Sequence, residues 1–295
     1  MQEFNGTFFV DEIETAVDVD AVILGVPFED NIETYPKGAS LAPAKIREMS
    51  HFFSGLSFGE TDFPSIHERN VLDIGNIDQN LSYKEMVNQL SKKIKLLTEK
   101  SIPQIVLGGD HSIALGTAQG LNNDKNIDGI VWVDAHVDLM DKYPNSKKFT
   151  RATVLRRILE LNHMGELDVY LIGCRGHNLG QEELDFIQEK EINVLQAKEY
   201  RDTKKVDEFL NDLCNSHSNL YVSIDIDVLD PAFAPGVSVP EPGGLSTREL
   251  FHTLKSFSLV TACLEIVEVN PTLDINNITS MVASKLVYEL MEKRV

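Results

Sequence analysis

The sequence predicts an α/β fold in three layers, with helices packed on both faces of a mostly parallel sheet of roughly eight strands. Two observations carry this expectation. Short runs rich in Val, Ile, Leu and Tyr recur along the chain without clean apolar/polar alternation, which is how strands covered on both faces read. Between them lie stretches whose apolar residues repeat with the helical period. No repeat of about 20–50 residues and no Pro-, Ser- or Gln-rich linker breaks the pattern, so one domain over 1–295 is expected.

The apolar runs fall at 20–26, 70–75, 103–109, 129–135, 168–174, 192–196, 219–225 and 262–269. Among the helical stretches, 83–100 places Met86, Leu90, Ile94 and Leu97 on one face, and Val206, Phe209, Leu210 and Leu213 repeat the pattern before Asn219. Ser246 and Glu249 form a capping box opening a helix over 247–257. The last helix, 277–294, carries Ile278, Met281, Val282 and Val287, and closes on Lys293 and Arg294 at the end its dipole makes negative. In sheets of this kind ligands collect at the carboxyl ends of the strands.

Composition narrows the function classes. With 295 residues, 42% hydrophobic and 25% charged, the chain can bury a core that needs no disulfide or metal staple. It has no apolar run of about 18 residues and no basic, apolar leader at its start, which leads to the expectation of a cytoplasmic protein with no membrane partner. Cys174, Cys214 and Cys263 are odd in number, lack CxxC spacing, and read as reduced thiols. A net charge of −19 argues against nucleic acid and anionic membranes and is compatible with cationic substrates or bound divalent cations.

Three strand ends carry dense ligand-type residues: GGDHS (Gly108–Ser112), DAHVD (Asp134, His136, Asp138) and SIDIDVLDP (Asp225, Asp227, Asp230). In an extended segment alternate side chains point the same way, so Asp134, His136 and Asp138 are expected to converge, as are Asp225 and Asp227. Taken singly, a DxD is often a turn or cap, and GGDHS can be a tight turn with Ser112 as N-cap. Taken together, four buried carboxylates would repel one another or hold protons, and a pair of divalent cations would neutralise them. An oxygen-rich set with a minority of imidazole suits Mn²⁺ better than zinc. Metals about 3.5 Å apart, bridged by carboxylates, can share a hydroxide nucleophile.

GGDHS, DAHVDL, SIDIDVLDPAFAPG and EIVEVNP resemble, in order and spacing, the signature blocks of the ureohydrolase (arginase/agmatinase/formiminoglutamase) family, and the segments 25–48 and 240–246 resemble the agmatinase branch. The resemblance implies an arginase-like fold, two Mn²⁺ per chain, a small guanidino substrate cut to urea and an amine, and a homo-oligomer, trimer or hexamer. It implies that His111 and Asp138 bind one metal and His136 and Asp227 the other, that Asp134 and Asp225 bridge, that Asp138 orients the hydroxide, and that Glu268 grips the guanidinium. Glu265, in an apolar strand, needs a partner: a role supporting the ligands and a structural salt bridge both stand open.

Two places depart from the pattern. Arg151 stands where these sequences carry a histidine, and a guanidinium cannot shuttle protons near neutral pH. One reading is a tolerated change on a rim loop; the other makes Arg151 a substrate-binding residue that pairs with an acidic tail. The run Gly236–Pro240 has Val237 and Val239 where hydroxyls are expected, and His163 and His177 stand near enough in sequence to be weighed as replacement shuttles. Agmatine, giving putrescine, is the first substrate expected. Formiminoglutamate or a guanidino acid is the alternative, and a metal-binding homologue without turnover, in a regulatory or assembly role, is the reading from another class.

Overall fold

A computed structural model of the chain describes residues 19–30, 32–33, 35–53, 71–176 and 179–291. Eight strands form one parallel sheet in the order β2-β1-β3-β8-β7-β4-β5-β6. They are β1 (Ala21–Gly25), β2 (Val71–Asn76), β3 (Gln104–Leu107), β4 (Gly129–Val133), β5 (Asp168–Ile172), β6 (Asn193–Leu195), β7 (Leu220–Asp225) and β8 (Thr261–Val267). Each expected run holds one of them, and no antiparallel pair occurs within the sheet. The helices are α1 (Ala42–Met49), α2 (Tyr83–Glu99), α3 (Ala114–Leu121), α4 (Val154–Ile158), α5 (Gln181–Glu189), α6 (Thr203–Ser216), α7 (Thr247–Phe257) and α8 (Ile278–Met291). The capping box of α7 is present as expected, and α2 has another, Ser82 with Glu85. The Lys293 and Arg294 expected to close α8, the N-terminal leader region, Asn70 and His177 lie outside the described residues.

The three layers follow from the two-residue period of the strands. In β4, Val131 and Val133 enter one core with Ile46 of α1, Leu210 of α6, Leu250 of α7 and Leu286 of α8. Ile130 and Trp132 enter the opposite core with Met86 and Leu90 of α2, Leu115 of α3 and Leu155 of α4. Both faces being covered explains the absence of polar alternation in the sequence.

Sequence order and sheet order part company in the middle. After β3 the chain crosses to β4, and the gap is filled last, by β7 and β8. Such a switch point opens a crevice at the carboxyl ends of the strands. The segments following β3, β4, β7 and β8, four neighbours in the sheet, are those that carry the ligand-type residues.

Candidate metal centre

The three acidic blocks converge by a device other than the one expected. Asp134–Asp138 has already left β4, and Asp227 lies in a short 3-10 turn after β7, so strand alternation does not align them. Instead each block opens with an aspartate that accepts the amide N–H two residues on: Asp110 Oδ1 from Ser112 at 3.0 Å, Asp134 Oδ1 from His136 at 2.6 Å, and Asp225 Oδ1 from Asp227 at 2.8 Å. These Asx turns reverse the backbone at the strand end and point the next ligand into the crevice. Asp110, not Ser112, therefore caps the turn after β3. Asp138 and Glu268 both have positive φ, 51° and 66°. For residues with a Cβ that conformation costs about 1–3 kcal/mol and is characteristic of functional sites.

Two groups of ligand atoms result, His111 with Asp134 and Asp138, and His136 with Asp134 and Asp227. Asp134 belongs to both. Its Oδ2 is 3.1 Å from His111 Nδ1, and its Oδ1 is 3.4 Å from His136 Nδ1. Asp138 Oδ2 lies 3.2 Å and Asp225 Oδ2 3.4 Å from His111 Nδ1, while Asp227 Oδ2 lies 3.2 Å from His136 Nδ1. All six residues named from the sequence thus stand together. Asp134 faces both groups and Asp225 the His111 group through Oδ2, and in each of the two Oδ1 also accepts the amide two residues on.

The tautomer of His111 follows from its support. Ser223 Oγ donates to Glu265 Oε1 at 3.0 Å, and having one proton it can only accept from His111 Nε2, at 2.9 Å. In the neutral ring Nδ1 then keeps a lone pair aimed at three carboxylate oxygens. His111 Nδ1 and Asp134 Oδ2 are buried without a hydrogen-bond partner, as is Nε2 of His136. Lone pair against anion is unfavourable unless a proton or a cation lies between them, and a divalent metal meets the demand of this donor set. The ring also stacks on Trp132 at 4.0 Å, nearly coplanar.

The titration of the cluster tells the same story. Burial pushes the Asp138 carboxyl up to about 7, with the Asp134 charge adding to it. Asp225 is raised by burial and by Asp227 and Asp134. Burial opposes the charging of both imidazoles, yet the carboxylates around them raise His111 and His136 well above the ordinary value. Asp134 goes the other way: burial opposes it, but the two imidazoles hold its carboxyl below the usual range. The site retains protons where cations would otherwise balance the charge.

Glu265 is buried in β8 and accepts from three hydroxyls, Thr117 at 2.5 Å, Tyr221 at 3.0 Å and Ser223 at 3.0 Å. Among the described residues no cation pairs with it, so of the two roles left open the geometry gives the supporting one.

Glu268 and Arg151 line a cavity of about 420 Å³ together with His136, Asp138, Asp225 and Asp227. Glu268 Oε1 accepts the His111 amide at 2.8 Å, and Oε2 accepts Arg151 Nη1 at 2.7 Å. Burial pushes the Glu268 carboxyl up to about 8, against the pull of Arg151. Arg151 is not on a rim: it is 5% exposed, and Asp30 and Asp110 hold its other nitrogen. Sequence reasoning missed Asp30, Asp110 and Ser223, and also Tyr35, Tyr143 and Met140 of the cavity wall. Only the GGDHS aspartate carried a signal, as a residue of the same block. Val239 lines the cavity, whereas Ser238 turns away to Asn270 and the Pro36 carbonyl. His163 bonds the Ile127 carbonyl at 3.0 Å and does not line the cavity.

A parallel α/β sheet with a carboxylate–imidazole cluster at the carboxyl ends of its central strands defines a metal-binding enzyme class. Comparison with known proteins gives the family: a family model described as the arginase family matches residues 19–292. Mitochondrial arginase 1 of Arabidopsis thaliana is 34% identical over 283 residues, 92% of this chain and 80% of that protein. The crystal structure of agmatine ureohydrolase from Thermoplasma volcanium superposes with a TM-score of 0.82 at 28% identity, covering 94% of this chain and 90% of that one. Formimidoylglutamase of Bacillus subtilis gives a TM-score of 0.82 at 25% identity, with 94% and 87% covered. The chain belongs to the arginase family and is a metal-dependent hydrolase acting on amidino carbon–nitrogen bonds.

Proposed function

We propose that this chain is a binuclear manganese hydrolase that cleaves a small guanidino compound to urea and an amine, in a single domain, as a homo-oligomer, with agmatine as the first substrate to test. The observation that carries the reading is Asp134, whose two oxygens face two separate imidazoles. One carboxylate shared in this way suits two cations held side by side, and the oxygen-rich donor set suits Mn²⁺.

When bound, the metals would activate water and polarise the reacting carbon–nitrogen centre. His111 and Asp138 would hold one ion and His136 and Asp227 the other, with Asp134 and Asp225 shared between them. Asp138, which lines the cavity, would orient the attacking water and carry its proton toward the leaving amine. Glu268, which also lines the cavity, would be the carboxylate that meets the amidino group.

The cavity wall favours agmatine over acidic tails. A substrate carboxylate needs a cation with donors to spare, and the described lining offers two arginines. Arg175 donates to the carbonyls of Asp227, Val228, Leu229 and Glu241. Arg151 is engaged by three carboxylates. With its charge answered inside the protein, Arg151 need not repel a cationic tail, and the guanidino-acid and formiminoglutamate readings lose their anchor.

The test is metal content and urea release of the Mn²⁺-loaded chain across agmatine, arginine and guanidino acids, with formamide scored for formiminoglutamate. Two ions per chain and urea from agmatine are expected. Two ions with turnover of acidic substrates alone would overturn the substrate assignment, and a chain that binds no metal would overturn the hydrolase reading.

A further inference from the structure

The guanidinium that lies on Glu268 in this structure belongs to the protein itself. Arg151 Nη1 donates to Glu268 Oε2 at 2.7 Å, Nη2 to Asp110 Oδ2 at 2.9 Å and to Asp30 Oδ1 at 3.1 Å, and Nε to Asp30 Oδ2 at 3.5 Å. Four of the five guanidinium N–H groups are thereby used. Asp30 Oδ2 also accepts the Arg151 main-chain amide at 3.2 Å, so the residue is held at backbone and side chain alike. Tyr35 lies over the guanidinium with its ring centroid 5.3 Å from Cζ, and Tyr35 in turn stacks on Tyr143. The three carboxylates and Arg151 are all at most 5% exposed. The arginine thus sits in a cage of anions and one aromatic face, the surroundings a protein builds for a permanent cation.

We propose that Arg151 is the resident occupant of the guanidinium subsite, a specificity-determining residue that withholds Glu268 from a substrate's guanidinium. The inference rests on the reading of Glu268 as the carboxylate that would face that group. Breaking a buried ion pair to admit a competitor is strongly unfavourable, because it strands the displaced charge. Arg151 therefore stays, and both Glu268 oxygens stay engaged, one by the His111 amide and one by Arg151. The amidino end of a substrate then meets the metal ligands without a free carboxylate beside them. Affinity must come from the metals and from contacts along the tail, and small guanidinium compounds with no tail are bound weakly. A histidine at this position, as the agmatinase-like sequences carry, would leave Glu268 Oε2 open.

The probe is the guanidinium ion itself, at low millimolar concentrations that do not denature, titrated calorimetrically into the full-length Mn²⁺-loaded chain. Wild type, R151Q, R151H, E268Q and the double variant R151Q/E268Q are compared, each after its melting temperature and metal content are recorded. We expect R151Q and R151H to bind guanidinium at least ~10-fold more tightly than wild type, the worth of one charge-assisted hydrogen bond gained. The gain should vanish in R151Q/E268Q. Equal affinity in wild type and the Arg151 variants, or a gain that survives loss of Glu268, overturns the proposal. Should R151Q fail to fold, R151H carries the comparison.

Urea release on the same preparations separates this inference from the proposed activity. Tighter guanidinium binding with no urea from any substrate supports the occupied subsite and sinks the hydrolysis of guanidino compounds. Urea release with no gain in binding does the reverse.

Discussion

Replacing Ser223 by alanine tests the support of the metal centre at one atom. Ser223 is fully buried and takes part in two bonds, accepting from His111 Nε2 at 2.9 Å and donating to Glu265 at 3.0 Å. Its loss leaves a buried imidazole N–H without a partner, at a cost of about 1–3 kcal/mol. Glu265 keeps Thr117 and Tyr221 but forfeits one donor to a buried carboxylate, a bond worth about 1.5–3 kcal/mol. The two effects share one hydroxyl and are not additive, so about 2–4 kcal/mol of destabilisation is expected, within the roughly 5–15 kcal/mol of a typical domain. The more telling effect is on metal. Without Ser223 the Nε2–H tautomer loses its partner and the ring keeps only its stack on Trp132, and loss of such a partner typically weakens a metal site by about 10–100-fold. Urea unfolding of the metal-free protein reads the first effect, and Mn²⁺ titration followed by the electron paramagnetic resonance of the free ion reads the second. A variant that is destabilised as expected yet binds Mn²⁺ like wild type would refute the argument that the hydroxyl sets the tautomer.

Two further outcomes follow from single positions. At Gly109 an added Cβ would lie 1.7 Å from the Phe28 carbonyl oxygen, a backbone atom that cannot swing aside, so Gly109→Ala should cost about 3 kcal/mol or more in urea unfolding and displace His111 with its metal; near-normal stability would show that the turn has room to shift. Asp134→Asn removes the carboxylate common to both ligand groups and should weaken both Mn²⁺ positions by at least ~100-fold, beyond the loss of a supporting partner, where Asp227→Asn should weaken one; metal analysis after dialysis distinguishes them, and retention of one tight ion by the Asp134 variant would remove the bridging role.

Much of the fold and of the candidate site is legible in the sequence. Burial on both faces writes itself into a strand as an unbroken apolar run, because every side chain meets a helix layer; 129–135 reads that way since Val131 and Val133 enter one core and Ile130 and Trp132 the other. The ligand residues were legible because ligation demands particular side chains packed densely within a few positions, and that density is a local property of GGDHS, DAHVD and SIDID. The means of convergence was not read correctly: alternation along a strand was expected, and Asx turns past the strand ends do the work. Both devices point ligands at i and i+2 in the same direction, so the sequence pattern does not distinguish them.

The sequence by itself determined the layered fold, the positions of the strands and the six clustered candidate ligands, since each of these is encoded in residue type and spacing over a short window. The tertiary structure alone decided the surroundings of Arg151. Asp30, Asp110 and Glu268 lie 121, 41 and 117 residues from it along the chain. They follow β1, β3 and β8, which lie side by side in the sheet although β8 is the last strand in the chain. A charged residue read alone looks like a solvated one, and its partners are chosen by strand order. Strand order is set by how whole layers pack, not by any local stretch of residues.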